Sequence, residues 1–256
     1  MKISIITVTY NRGYIIKDAI EGVLRQRYHN YEYIVVDGDS TDNTVELLKE
    51  YEPKFEGRMR WISEPDNGLY DAINKGIKMA TGDVVGIINS DDFFHRDDTI
   101  EIIAKAFDKG PSLECVFGDN RLIKPENPDV NYRFHCAWYF RPWMFRIGIE
   151  PPHPSFYAKK ECFDKWGYYK TDYFISADFE LMMRFMLINK AKWKYLHHTF
   201  LTFRVTGIST DSNNRKRMNK EIVRACKENG IWTCAPLVWC KYIFRIPELF
   251  IYKHRK

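Results

Sequence analysis

An α/β fold with a parallel-rich sheet and helices on both faces is what the first 118 residues predict, on two observations. Apolar runs of strand length alternate with amphipathic runs of helix length, in the order βαβαβαβαβ. Two of the predicted strands also run straight into acidic turns. Asp37-Gly38-Asp39-Ser40-Thr41-Asp42 follows Tyr33-Ile34-Val35-Val36, and Asn89-Ser90-Asp91-Asp92 follows Val84-Val85-Gly86-Ile87-Ile88. Ligands of open α/β sheets bind outside the carboxyl ends of the strands, so these two clusters are expected to share one cleft. Carboxylates there repel a bare phosphate. A divalent cation, or contacts to a base and a ribose, is the chemistry that calls for them.

Taken in order, residues 2–10 (KISIITVTY) form a nearly continuous β-branched run, the pattern of a strand buried on both faces. Gly13 opens a helix on which Tyr14, Ile16, Ala19, Ile20, Val23 and Leu24 recur at helical spacing. Residues 31–36 are the second strand, and Ser40 or Thr41 is placed to cap the helix through Val45, Leu47 and Leu48. Residues 60–62 are a short strand, and residues 69–80 a helix stopped by Gly82. Residues 84–88 are a strand, Asp97 or Asp98 caps the helix through Ile100, Ile103 and Phe107, and residues 114–117 close the series. After Gly118 the alternation fails. Residues 119–158 carry Tyr132, Trp138, Tyr139, Phe140, Trp143 and Phe145 among six prolines, the composition of a long functional segment. A helix near residues 177–187, a strand near 193–203 and a helix near 215–228 follow.

The chain has 256 residues, 45% of them hydrophobic, which is ample for one large α/β domain and leaves no disordered class open. A net charge of +5 hides an asymmetry: residues 212–256 hold 11 Lys and Arg against three Glu, a balance of +8, leaving −3 for the rest. The six cysteines have no zinc spacing, and neither a leader segment nor a run of about 20 uncharged apolar residues is evident, so a reduced cytosolic protein is expected. Neither GxGxxG nor GxxxxGK[ST] occurs, which excludes the common dinucleotide and P-loop sites. The basic tail has no accompanying nucleic-acid recognition motif, so no nucleic-acid partner is expected.

Five segments, SIITVTYNR, VVDGDSTDNT, EPDNGLYDAINKGIKMATGD, INSDD and the pair PHPSFYAKKECF with ISADFELMMRF, resemble family-2 glycosyltransferases in content, order and spacing over residues 1–205. The resemblance implies a GT-A (nucleotide-diphospho-sugar transferase) fold, a Rossmann-like mixed central sheet flanked by helices. It divides the chain into a nucleotide-sugar-binding half (1–118), an acceptor-side half of the same domain (119–210) and a basic, aromatic helical tail (211–256). It implies inverting transfer of a sugar, hexosyl or N-acetylhexosaminyl, from a nucleotide-diphosphate donor, commonly UDP-linked, to a saccharide or lipid-linked saccharide in polysaccharide assembly.

The same resemblance assigns residues. Asp91 is the metal ligand of an Asp-x-Asp motif whose first acid is here Asn89, and the cofactor is Mn²⁺ or Mg²⁺. Asn89, with Ser90 beside it, faces the ribose. Thr9, Tyr10, Arg12, Asp37 and Asp39 surround the base, although Asp39 and Asp42 equally suit ordinary turn chemistry and Arg12 a surface position. Asp66, Tyr70, Asn74 and Lys75 border the donor sugar and diphosphate, while Asp71 suits the helix dipole just as well. Asp178 matches the general base, in a pair whose usual first acid is Ala177. It also suits an N-cap, and Glu180 is the reserve. His153 falls at the acceptor pocket, and Trp138 and Trp143 offer acceptor stacking. Asp92 receives no role.

In the tail, Lys241, Arg245 and Glu248 recur at i, i+4, i+7 and leave Leu237, Val238, Trp239, Ile243, Phe244, Leu249, Phe250 and Ile251 for the other faces of a helix over residues 237–252. That pattern suits an interfacial anchor on the inner face of the cytoplasmic membrane, or a helix packed on the domain. Two alternatives compete with transfer: a sugar-phosphate nucleotidyltransferase, which lacks its Gly-rich phosphate loop here, and a silent membrane-associated partner that keeps the fold.

Overall fold

The computed structural model describes residues 1–205 and 212–244, and the side chains of all of these except 128, 129 and 212. Strands β1 (Ile3–Thr9) and β2 (Tyr31–Asp37) are buried at every position, as a β-branched run between two helical layers must be. They pair in parallel with each other, β2 pairs in parallel with β3 (Met59–Ser63), and β1 with β4 (Val84–Ile87). Helices α1 (Ile16–Leu24), α2 (Thr44–Tyr51), α3 (Leu69–Met79) and α4 (Thr99–Lys109) connect these strands and lead on from them.

The second half turns the sheet mixed. β8 (Phe156–Lys159) lies antiparallel between β4 and β6 (Cys115–Lys124), and β9 (Trp193–Arg204) runs parallel to β6 on its other side. The order is β3-β2-β1-β4-β8-β6-β9-β5, with the two-residue β5 (Phe93–Phe94) at the end and β7 (Asn127–His135) paired antiparallel to the outer half of β6. Two apolar layers cover the faces. One holds Ile6, Val36, Ile73, Phe117 and Phe179; the other holds Ile5, Val35, Ile20, Ile103 and Phe200.

Three sequence expectations change. The alternation does not end at Gly118, because β6 continues through it to Lys124. A Cβ at Gly118 would stand 2.7 Å from the His198 carbonyl, so this glycine permits close strand approach rather than ending a strand. Ser40 and Thr41 do not cap α2. The N-cap is Asn43, whose side chain makes no cap hydrogen bond, and Asp42 one residue earlier accepts from the first helical N–H, that of Thr44, at 3.0 Å. The tail is not one helix from 237 onward: α7 (Arg215–Glu228) is followed by the short α8 (Ala235–Trp239) and α9 (Lys241–Phe244). Lys241, on the expected polar face, is instead buried. Arg245, Pro247, Glu248 and the apolar residues 249–252 lie outside the described residues.

Between β8 and β9 in the chain stand α5 (Lys160–Trp166) and α6 (Ala177–Met183), which continues as a wider turn over Arg184–Ile188. No helix among the described residues is long and apolar enough to cross a membrane. None of the six cysteines is in a disulfide, and Cys115, Cys136, Cys162 and Cys226 are buried.

Candidate active site

The carboxyl ends of β1 and β2 are laced together by short polar side chains. Asn11 and Asp39 both adopt left-handed backbone (φ 52° and 69°), a conformation Asn and Asp tolerate better than most residues. Asn11 Oδ1 accepts from the Thr41 N–H at 2.8 Å, and the Asn11 N–H donates to Ser40 Oγ at 2.7 Å. Asp42 Oδ2 accepts from the Gly13 N–H at 2.9 Å, which sets the start of the first helical turn against the second.

Asp37 is consumed by this construction. Its buried carboxylate accepts from the Ser40 N–H (2.9 Å), the Ser40 hydroxyl and the Ser63 hydroxyl (2.7 Å). Asp39 is exposed, and neither of the two lines the cavity described next. Lys75 also stands apart from it, held by Glu64 and the Pro65 carbonyl, both at 2.8 Å. Gly38 has a separate purpose: a Cβ there would lie 2.7 Å from Asp66 Oδ2. The residue between the two acids therefore lets the Asp66 loop close over the turn.

Beyond the strand ends lies a cavity of about 500 Å³. Thr9, Tyr10, Arg12, Asp66, Tyr70, Asn89, Ser90, Asp91, His153 and Asp178 all line it, so most of the residues singled out in the sequence converge. Trp138 and Trp143 do not; both are exposed on the outer surface. The sequence reading missed Asn120, Arg133, His135 and Glu150, which β6, β7 and the loop before β8 bring to the same wall. Their only sequence signal was position in a segment dense in aromatics and prolines.

The acidic loop after β4 is shaped from a distance. Asp92 is fully buried, accepting from Asn89 Nδ2 at 3.0 Å and from the Arg204 N–H at 3.1 Å. Burial, with Asp91 beside it, pushes the Asp92 carboxyl well above the usual range. Arg204, from the end of β9, also donates to the Asp91 carbonyl at 2.9 Å and pairs with Asp18. Asp91 is thus the carboxylate of this loop that reaches the cavity. No group of three or more His, Cys, Asp or Glu among the described residues could hold a metal unaided. One carboxylate beside an amide oxygen suits a cation that brings phosphate oxygens and water as its remaining ligands, the habit of Mg²⁺ at phosphate sites.

A further part of the lining is built on α3 and α6. Gly68, at φ 108°, starts α3, and Asp71 in its first turn accepts from the Asn67 N–H at 3.0 Å. One turn apart on α3, Tyr70 and Asn74 reach the second half of the chain. The Tyr70 hydroxyl donates to the Ile175 carbonyl and accepts from the Ala177 N–H at 3.2 Å. Asn74 grips the Tyr169 backbone with both ends of its amide, at 2.8 and 3.0 Å. From α7, Glu221 accepts from the N–H groups of Phe174, Ile175 and Ser176 at 3.0, 2.9 and 3.0 Å. The turn carrying Asp178 is therefore clamped from two sides.

Asp178 Oδ1 accepts from the Phe179 N–H at 2.8 Å, and Oδ2 lies 3.7 Å from His153 Nδ1. Burial raises the Asp178 carboxyl above its ordinary value and lowers His153 below its own, while each opposes the shift of the other. A carboxylate poised closer to neutrality, open to a cavity, is suited to accept a proton. Glu180 is not: it is fully buried and paired with Arg184 (2.9 Å) and Lys170 (3.2 Å).

A mixed sheet with its cleft at the carboxyl ends of the parallel strands, lined by the acidic loop after β4 and by Asp178, defines an α/β domain with the ligand cleft of that class. Residues 4–187 match the model of Glycosyl transferase family 2, and the chain belongs to that family. It is 33% identical over 189 residues to an uncharacterized glycosyltransferase of Mycobacterium tuberculosis, covering 73% of this chain and 69% of that one. It is 25% identical over 204 residues to a PGL/p-HBAD biosynthesis glycosyltransferase of Mycobacterium bovis, covering 80% and 77%. Among solved structures, S. aureus TarS 1-349 in complex with UDP-GlcNAc superposes with a TM-score of 0.66 at 18% identity, over 88% of this chain and 66% of that one. The mannosyltransferase PcManGT from Pyrobaculum calidifontis, in complex with GDP-Man and Mn²⁺, gives 0.67 at 18% identity, over 96% and 70%. The fold is accordingly GT-A.

Proposed function

We propose that this glycosyltransferase moves a sugar from a nucleotide-diphosphate donor, UDP-linked by preference, to a saccharide or lipid-linked saccharide with inversion at the anomeric carbon. The observation that carries this reading is that Asp91 and Asp178 line one cavity from different elements, the loop after β4 and the start of α6. In this reading residues 1–118 hold the donor and residues 119–210 the acceptor. Thr9, Tyr10 and Arg12 take the nucleoside end, and Asp66, Tyr70, Asn89 and Ser90 the ribose, diphosphate and sugar. A divalent cation, Mn²⁺ or Mg²⁺, held by Asp91, the Asn89 side-chain oxygen and the donor's phosphate oxygens, would stabilise the charge that the departing diphosphate gains.

The chain's own residues do the rest. Asp178 takes the proton of the acceptor hydroxyl as that oxygen closes on the anomeric carbon, and the nucleoside diphosphate leaves from the opposite face. Tyr70 and Glu221 hold the turn of Asp178, so the base is oriented before the acceptor arrives. The M. bovis relative, described as acting in PGL/p-HBAD biosynthesis, supports a lipid-linked acceptor, and the basic tail supports work at the inner face of the cytoplasmic membrane.

Calorimetric titration with UDP, GDP and dTDP, each with Mn²⁺ and with EDTA, tests the donor half. Metal-dependent micromolar binding of UDP is expected. Binding of another nucleotide would reassign the donor, and binding of none would favour a silent partner.

A further inference from the structure

The outward face of the tail is apolar where a solvated helix would be charged. In residues 232–244, Trp232 is 71% exposed, Trp239 46%, Ile243 65% and Phe244 45%, whereas Lys241 in the same stretch is 1% exposed. Val238 and Lys241 face inward against the loop at Gly148, where a Cβ would stand 3.1 Å from Val238 Cγ1 and 3.3 Å from Lys241 Cδ. The Thr233 hydroxyl ties the start of this stretch to the Arg146 carbonyl. Trp143, on the short helix Pro142–Ile147 against which α8 packs, is exposed as well. An apolar surface rich in tryptophan is costly in water and is the composition of a membrane–water interface.

Positive charge accompanies it. On α7, Lys216, Lys220 and Lys227 stand at i, i+4 and i+11, which places them on one stripe about 140° around the helix from the buried Ile222. All three are exposed, and no ion pair among the described residues engages them. The flank of α7 beside this stripe spends its charges internally: Arg217 pairs with Glu221, and Arg224 with Asp172 and Glu228. The balance of +8 over residues 212–256 is thus partly an outward lysine row rather than a set of solvated ion pairs.

We propose that the outer face of residues 232–244, together with Trp143 and the lysine stripe of α7, docks on an anionic lipid bilayer. This deepens the reading of a lipid-linked acceptor and rests on it. Tryptophan rings and the Ile243 and Phe244 side chains enter the headgroup region, while the lysines meet anionic headgroups, a two-signal attachment that neither half provides alone. Glu221 reaches from α7, the helix that carries the lysine stripe, to the turn of Asp178, so the charged half of the docked surface is tied by hydrogen bonds to the turn of the proposed base.

The test is co-sedimentation of the full chain with vesicles of phosphatidylcholine alone and of phosphatidylcholine with phosphatidylglycerol, at low and high salt. The wild type should sediment with the anionic vesicles, and far less at high salt. K216Q/K220Q/K227Q should weaken that partitioning on the order of 100-fold, and W232A/W239A roughly 10-fold or more. No sedimentation with either vesicle, or either variant partitioning like the wild type, overturns the proposal. A concentration-dependent dimer lost in W232A/W239A would assign the patch to a second copy and overturn it equally. UDP titration of the same samples separates the two readings. Persistent Mn²⁺-dependent UDP binding without vesicle binding removes the surface alone, whereas vesicle binding without nucleotide binding removes the transfer reading.

Discussion

The His153 imidazole stands with Nδ1 3.7 Å from Asp178 Oδ2, while its Nε2 meets the Tyr169 hydroxyl at 3.1 Å. At 3.7 Å the first contact is electrostatic rather than a hydrogen bond, and both side chains are largely enclosed, with 13% and 21% exposed. Each group therefore feels the other's charge with little screening. Glu221 and the hydroxyls of Tyr70 and Tyr169 complete the ionisable surroundings of Asp178.

A pH prediction follows from the signs. Burial raises the Asp178 carboxyl, and the imidazolium form of His153 lowers it. The proposed base works deprotonated, so turnover should rise with pH through the Asp178 titration. His153→Gln removes the lowering influence, so the acidic limb of the kcat profile should move to higher pH, with turnover recovered at the alkaline end. A variant with uniformly reduced kcat and an unmoved limb would show that His153 only supports the fold.

Glu221→Ala should loosen the base without touching the donor. Three N–H groups before Asp178 lose their acceptor, at about 1–3 kcal/mol each if left unsatisfied, though water will meet part of that cost. The expected result is a lower melting temperature and a kcat reduced roughly 10-fold or more, with UDP affinity unchanged. Equal loss of UDP affinity would place the damage elsewhere.

Gly38→Ala tests the close approach of the Asp66 loop. The added methyl meets Asp66 Oδ2, whose partner oxygen Oδ1 is already held by the Gly68 N–H at 2.7 Å. The loop should shift and UDP affinity should fall on the order of 10-fold, as overpacking of about 1–3 kcal/mol implies. Wild-type affinity in this variant would show that the loop is not part of the donor site.

Asp91→Ala should erase the difference between UDP affinity in Mn²⁺ and in EDTA. A variant that keeps the difference would move the metal away from Asp91.

The sheet of the first half was legible because its strands are apolar on both faces and its helices keep a clean period. α7 was readable to its ends, since Arg215–Glu228 has its buried residues at helical spacing. The extension of β6 was not, because Asp119, Asn120 and Arg121 break the apolar run. Asp119 sits inside the protein with Ala137 and Tyr195 donating to it from segments 18 and 76 residues away. The same hairpin hid Arg133 and His135 from the sequence reading, while Asp91, Tyr70 and Asp178, which line the same cavity, stand in local motifs that the sequence displays. Asp37 looked like a ligand contact because a carboxylate at a strand end is equally good at binding and at building a turn, and here its hydrogen bonds go to Ser40 and Ser63. Trp138 and Trp143 carried the right chemistry for a saccharide but face outward.

The central claim is that Asp178 is the base of the transfer. The direct measurement is UDP affinity and turnover of Asp178→Asn side by side, with Mn²⁺ present. The account predicts UDP affinity within about 2-fold of the wild type and turnover reduced roughly 100-fold or more. Turnover near the wild-type value, at unchanged affinity, would contradict it.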